Sequence, residues 1–155
     1  MHLHAPNLRK SFHDGSDQKA REEMMLGATL AGVAFSNASV ALVHGMSRPI
    51  GAFYHVPHGL SNAMLLPMVT EYSIPSAPAR YADCARAMGV ASEIDNDEVA
   101  NSKLMDELYA INKELQVPTP EQFGIDREHF CNNLQVMAEQ ALASVSPCNL
   151  SLVDI

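Results

Sequence analysis

This chain of 155 residues lacks most of the short signatures by which a protein's chemistry can be read directly. It has no G-x-G-x-x-G and no Walker A loop, and its eight glycines are dispersed, so nothing in it cradles a pyrophosphate by itself. A G-x-S-x-G nucleophile elbow is missing, no cysteine stands beside a histidine in a catalytic motif, and neither H-E-x-x-H nor C-x-x-C occurs. The three cysteines, Cys84, Cys131 and Cys148, are odd in number and far apart, which argues against a disulfide framework. With nine methionines, this composition predicts a reduced, cytoplasmic setting. Only ten Lys and Arg oppose 18 Asp and Glu, for a formal net charge of −8. They form no basic stripe, which argues against a nucleic-acid partner. The opening MHLHAPNLRK holds no apolar stretch of the kind a secretory signal requires. Strand-like alternation and internal repeats are also missing, which leaves an all-α chain as the predicted class.

What is present begins with a run of 20 residues without charge, from Met24 to Val43. Its length would suit a membrane span. Yet Gly27, Thr29, Gly32, Ser36, Asn37 and Ser39 interrupt it, no aromatic belt or basic anchor flanks its start, and it leads into a polar, histidine-bearing turn. A helix buried on all sides in a helical domain fits better, with no membrane.

Residues 1–16 read as an irregular lead-in. Ser16 is placed to cap a helix from Asp17 that carries Met25, Ala28, Gly32, Phe35, Ser39 and Leu42 at helical spacing. Gly45 and then Pro49 are expected to stop it. Residues 51–57 read as a connection and 59–66 as a helix bent or closed by Pro67. Further helices are predicted over 79–88, with Gly89 as C-cap, over 98–115 through Val99, Leu104, Leu108, Ile111 and Leu115, and over 126–143. Thr119, Pro120, Glu121 and Gln122 have capping-box spacing and predict a brief turn. Residues 144–155 read as an irregular tail.

The stretch VHGMSRPIGAFYHVPHGLSNAMLLP, residues 43–67, concentrates the chemistry. Imidazole is the commonest side-chain metal ligand and is costly to bury unpaired, so His44 and His58 beside an apolar helix suggest a site. Spacing alone leaves other roles open. His44 can be a core histidine bonded to a carbonyl, and His58, after Pro57, can be a helix-start residue. His55 is a third nitrogen in reach, better read as facing solvent or bonded within its loop. His2, His4, His13 and His129 read as surface residues, with His2 and His4 able to chelate adventitious metal. Met24, Met25, Met64 and Met68 read as core filler.

AGVAFSNASVALVHGMSRPIGAFYHVPHGLSNAMLLP, with the flanking phrases HDGSDQKAREEMMLGATLAG and MAEQALAS, closely resembles the iron-containing (group III) alcohol dehydrogenases. The resemblance covers residues 7–143 and the helical C-terminal domain of that family, a fold shared with dehydroquinate synthase-like proteins. It implies a helical bundle and a helical metal-binding domain over 17–143. In the family one Asp and three His hold the metal; the last two histidines match His44 and His58, and the first two ligands lie upstream of the matched region. The N-terminal nucleotide-binding domain is likewise not in this sequence, and SPCNLSLVDI stands where members carry a Pro/Arg-containing loop and a last helix, so the chain reads as cut at both ends. Phe35 matches an aromatic lining the substrate and nicotinamide pocket. Arg48 stands where many members carry a histidine near the nicotinamide; arginine suits pairing with a substrate carboxylate or cofactor phosphate better than a proton relay.

The activity implied is NAD- or NADP-linked interconversion of a primary alcohol and an aldehyde by hydride transfer, with Fe²⁺, or Zn²⁺ by ligand type, as the metal. The isolated chain is expected to be inactive. Its implied partners are a small alcohol or aldehyde and the missing domain, and a homo-oligomer is compatible with these residues. A rival reading is a non-catalytic helical remnant or interaction module from a shortened gene, because two imidazoles fall short of a full ligand set. Upstream DNA encoding an in-frame D-x-x-x-H helix would separate the two.

Overall fold

The computed structural model describes residues 1–143, so the irregular tail expected over 144–155, Cys148 included, lies outside the described residues. Among the described residues the chain is all-α, with no strand. In order come α1 (His4–His13), α2 (Gln18–Ala38), α3 (Leu42–Tyr54), α4 (His58–Ser73), a 3-10 turn (Ile74–Ser76), α5 (Pro78–Met88), α6 (Asp97–Glu114) and α7 (Arg127–Ala143). The chain divides into two compact units, residues 1–38 with 74–111, and residues 39–73 with those from Asn112 onward.

In the first unit the expected irregular lead-in is instead helix α1, laid against α2. No apolar periodicity announces it, because polar contacts hold it. Asn7 is buried, and its amide donates to the Leu3 carbonyl and to the Glu23 carboxylate on α2. The His4 ring covers Gly27, so closely that a Cβ there would lie 2.6 Å from it, and His4 is thus not a plain surface residue. Ser16 does not cap α2. Its N–H and hydroxyl both donate to Asp14, and Asp17 Oδ1 accepts the Ala20 N–H at 2.9 Å as the actual cap.

The structure also corrects the reading of α2 as buried on all sides. Only Ala20 and Gly27 are buried, while Met25, Leu26, Leu30, Val33 and Phe35 are exposed. The small residues that let α1 approach lie in its first half, and the second half has bare apolar positions. It ends seven residues before Gly45, at Ala38, because Ser39 adopts a left-handed φ of 64°. Among the described residues no single helix is long and apolar enough to cross a membrane; only α2 and α3 together, across their break, reach that length and composition.

The core of this unit lies between α5 and α6. Ala82, Ala85 and Ala100 are fully buried, with Leu104 and Leu108 beside them and Tyr81, Cys84, Met88 and Met105 around the rim. Alanines on both helices allow a close approach, which dispersion then rewards. Gly89, at φ 79°, closes α5 as expected. Asn96 Oδ1 accepts the Val99 N–H and starts α6. Leu104 and Leu108 are buried as anticipated, whereas Val99 is exposed and Ala100 and Asn101 complete the buried stripe.

In the second unit α3 packs against both α4 and α7. Ile50, Val56, Ile125 and Met137 form the core, flanked by Tyr54, Leu60, Met64, Leu65 and Phe130. Of the four methionines expected as filler, Met64 packs here, whereas Met25 and Met68 are exposed. Pro49 does not stop a helix. It lies inside α3, buried beside Ile50, and the connection shrinks to residues 55–57. Burying Leu42, Gly45, Ser47, Pro49 and Ile50 on one side outweighs the one helical hydrogen bond that proline forfeits.

Pro67 is likewise inside α4, which runs on to Ser73. Having no N–H, Pro67 leaves the Ala63 carbonyl without its helical donor, and Asn112 Nδ2 donates to that oxygen at 2.7 Å. The capping box forms as expected: Gln122 N–H donates to Thr119 Oγ1 and Thr119 N–H to Gln122 Oε1, around a turn that does not extend into a helix. Asp126 caps α7 through the His129 N–H.

Candidate metal centre

His44 is the third residue of α3 and His58 the first of α4, and their ring centroids are 5.3 Å apart. Three local features bring together residues fourteen apart in the chain. At the end of α3, His55 takes a left-handed φ of 55°, and its N–H closes the helix on the Gly51 carbonyl. The chain then doubles back. Val56, buried, passes so close over Gly51 that a Cβ there would sit 3.3 Å from the Val56 carbonyl. Helix α4 therefore begins beside the first turns of α3 rather than beyond its end.

The crossing point is a pair of serines. Ser47 and Ser61 are both fully buried, each one turn beyond its histidine. Ser47 Oγ donates to the His44 carbonyl at 3.1 Å, Ser61 Oγ to the His58 carbonyl at 3.0 Å, and Ser61 Oγ also reaches the Ser47 carbonyl at 3.4 Å. Their small volume sets the helix separation. Sequence reasoning missed them, yet a signal was there: H-G-M-S at 44–47 and H-G-L-S at 58–61 are the same tetrapeptide pattern.

The surroundings of His44 disfavour its charged form. Partial burial pushes its pKa below the usual 6.5, with the His58 ring and the Arg48 guanidinium adding to the effect in that order. A metal needs the neutral ring, so this shift keeps His44 competent as a ligand to lower pH than a free imidazole. His58 is exposed, as is Arg48, one turn along α3 from His44. The donor set fits a cation: two imidazoles sharing one ion through bonds of ~2.1 Å, at ordinary angles, have centroids about 5 Å apart. It fits as half a site. Among the described residues no group of three or more His, Cys, Asp and Glu side chains could hold an ion.

His55 serves as the α3 C-cap and is exposed. Phe35 belongs to the other unit, on the exposed part of α2, 52% accessible. His129 packs edge-on against Tyr54, whose hydroxyl donates to the His129 carbonyl. A pocket of about 270 Å³ lined by Thr119, Pro120, Glu121, Ile125, Arg127 and Phe130 includes neither His44 nor His58.

This helical chain with a close histidine pair matches, over residues 1–155, the model of the Fe-containing alcohol dehydrogenase family, C-terminal part. The chain belongs to that family. It is 37% identical to lactaldehyde reductase of Escherichia coli over 159 aligned residues, which take in all of this chain and 42% of that enzyme. It is 36% identical to the NADPH-dependent butanol dehydrogenase of Clostridium saccharobutylicum, over 88% of this chain and 34% of the relative. Among solved structures, the crystal structure of a 1,3-propanediol oxidoreductase superposes with a TM-score of 0.84 at 34% identity, over 92% of this chain and 36% of the other. The chain thus spans well under half the length of the relatives it matches.

Proposed function

We propose that this chain is the helical, metal-holding part of an NAD(P)-linked alcohol dehydrogenase, with His44 and His58 supplying two of the metal's ligands. The observation that supports this most directly is the 5.3 Å approach of the two rings at the starts of consecutive helices. When bound, a divalent cation such as Fe²⁺ or Zn²⁺ supplies Lewis-acid polarisation of a substrate oxygen, and a nicotinamide supplies or accepts hydride. The chain's own residues prepare for that chemistry. His44 and His58 present ring nitrogens, the buried Ser47–Ser61 crossing fixes their separation, and Arg48 offers a cation to a substrate carboxylate or cofactor phosphate.

Two imidazoles leave the remaining metal positions to water or to another polypeptide, and nothing in the sequence holds a pyrophosphate in reach. The chain alone is therefore inactive and binds Fe²⁺ or Zn²⁺ weakly. The test is metal analysis and turnover of small primary alcohols with NAD or NADP, repeated with the upstream half of a relative co-expressed. Activity regained on co-expression and lost in His58→Ala supports the reading. Robust turnover by the chain alone would overturn the inactivity; no metal bound by the wild type in either setting would overturn the ligand assignment. A second reading, an interaction module, draws on the exposed apolar residues of α2. Co-expression that neither restores activity nor recruits metal, with the chain still folded, would favour it.

A further inference from the structure

Beside the histidine pair stands a side chain with a different kind of contact. Asn62, one turn into α4, places its amide Nδ2 3.2 Å from Nε2 and 3.4 Å from Nδ1 of the His58 ring, while donating to the His58 carbonyl at 2.8 Å. The two ring nitrogens flank Cε1. An atom in the ring plane at those two distances would collide with the Cε1 hydrogen, so the amide lies over the ring face. One N–H serves the carbonyl and the other faces the π-system. The ring edge, through which a nitrogen would reach a metal, stays open.

The amide's orientation is set by the same contacts. Turned over, it would set Oδ1 against the His58 carbonyl, acceptor against acceptor. As placed, Oδ1 is buried without a hydrogen-bond partner, which costs folding free energy.

We infer that Asn62 is a positioning residue: it clamps the His58 ring by its face and backbone, so the ring is oriented before any ligand arrives, without spending a ring nitrogen. This rests on the proposed role of His58 as a metal ligand. Ser61 also donates to that carbonyl, so rotation of the ring is the freedom left for Asn62 to remove. Partners of this kind, one step removed from the ion, typically change metal affinity by ten- to a hundredfold.

The experiment uses the whole chain, Co²⁺ as probe, and the variants N62A and N62L. In the metal-free wild type, NMR should show a nuclear Overhauser contact between the Asn62 amide protons and His58 Hε1. Both variants should keep the wild-type circular dichroism and melt no lower, because each removes the unpaired Oδ1. Their Co²⁺ dissociation constants should rise about tenfold, with a weaker visible band at saturation. Should N62A fail to fold, N62L, which keeps the branched heavy-atom outline of asparagine, decides. Affinity and spectrum within twofold of wild type in the folded variants, or absence of the contact, would overturn the inference. If the wild type binds no Co²⁺, the ligand assignment fails by itself, and the Overhauser contact still decides whether Asn62 holds the ring.

Discussion

Replacing Asn112 by alanine tests how a helix carries a proline at its centre. In α4 the Ala63 oxygen has no helical donor because residue 67 is proline, and it accepts from Asn112 Nδ2 at 2.7 Å. Removing that amide leaves a partly buried carbonyl unpaired, a loss of about 1–2 kcal/mol. With urea m values of about 1–3 kcal/mol/M, the unfolding midpoint should fall by roughly 0.3–2 M. The diagnostic is the double-mutant cycle with Pro67→Ala. Alanine at 67 restores an N–H that can bond to Ala63, so the side-chain amide becomes redundant. In that background Asn112→Ala should cost less than about 0.5 kcal/mol, giving a coupling energy near 1 kcal/mol. Urea titrations of the four proteins followed by circular dichroism measure it. Equal costs in both backgrounds, within about 0.3 kcal/mol, would refute the reasoning and place the value of Asn112 elsewhere.

His55→Gly relieves the left-handed φ of 55° at the end of α3 and should stabilise the chain by about 1 kcal/mol in thermal melts, with Co²⁺ binding unchanged because His55 caps rather than coordinates. Ala85→Leu puts a large side chain into the closed α5–α6 contact and should cost about 1–3 kcal/mol in chemical unfolding, whereas the same change at exposed Ala79 should cost almost nothing. Asp95 is held down to about 2 by the Lys103 ammonium, 2.7 Å away, and by the Ser92 N–H. Its folded pKa lies below the ordinary 3.8, so the stabilisation is complete above that value and is lost as pH falls toward 2. Asp95→Asn should flatten the melting temperature between about pH 5 and pH 2, and an unchanged slope would count against the Lys103 contact.

Composition and periodicity carried the helical class, and local chemistry carried most of the termini, because the groups involved are adjacent in sequence. Gly89, the Thr119–Gln122 box and the extent of α7 follow from caps that any chain of this sequence would make. The proline-bearing helices were not legible. Pro49 and Pro67 read as stops by local rules, and what overrides them is tertiary: burial around Ile50 in one case and a side-chain donor 45 residues further on in the other. Helix α1 escaped for a similar reason, since its tie to α2 runs through Asn7 and Glu23, 16 residues apart. The histidine pair could be nominated from its surroundings and from family resemblance, and the structure supplies the approach of the rings. The serine crossing beneath them was written in the sequence as a repeated tetrapeptide too short to register as a repeat.

The doubled-back connection at His55 bears on how the pair comes to exist. Closing a loop of fourteen residues costs about 2.3 kcal/mol of chain entropy, a modest sum beside what a long-range contact requires. Both rings are set by one contiguous stretch, from the start of α3 through the first turn of α4, and none of the hydrogen bonds that fix them reaches outside it. A segment of this length grafted between two helices of another scaffold would carry its hydrogen bonds with it, and would need only a substitute for Ile125 and Met137, which cover Ile50 and Val56 here.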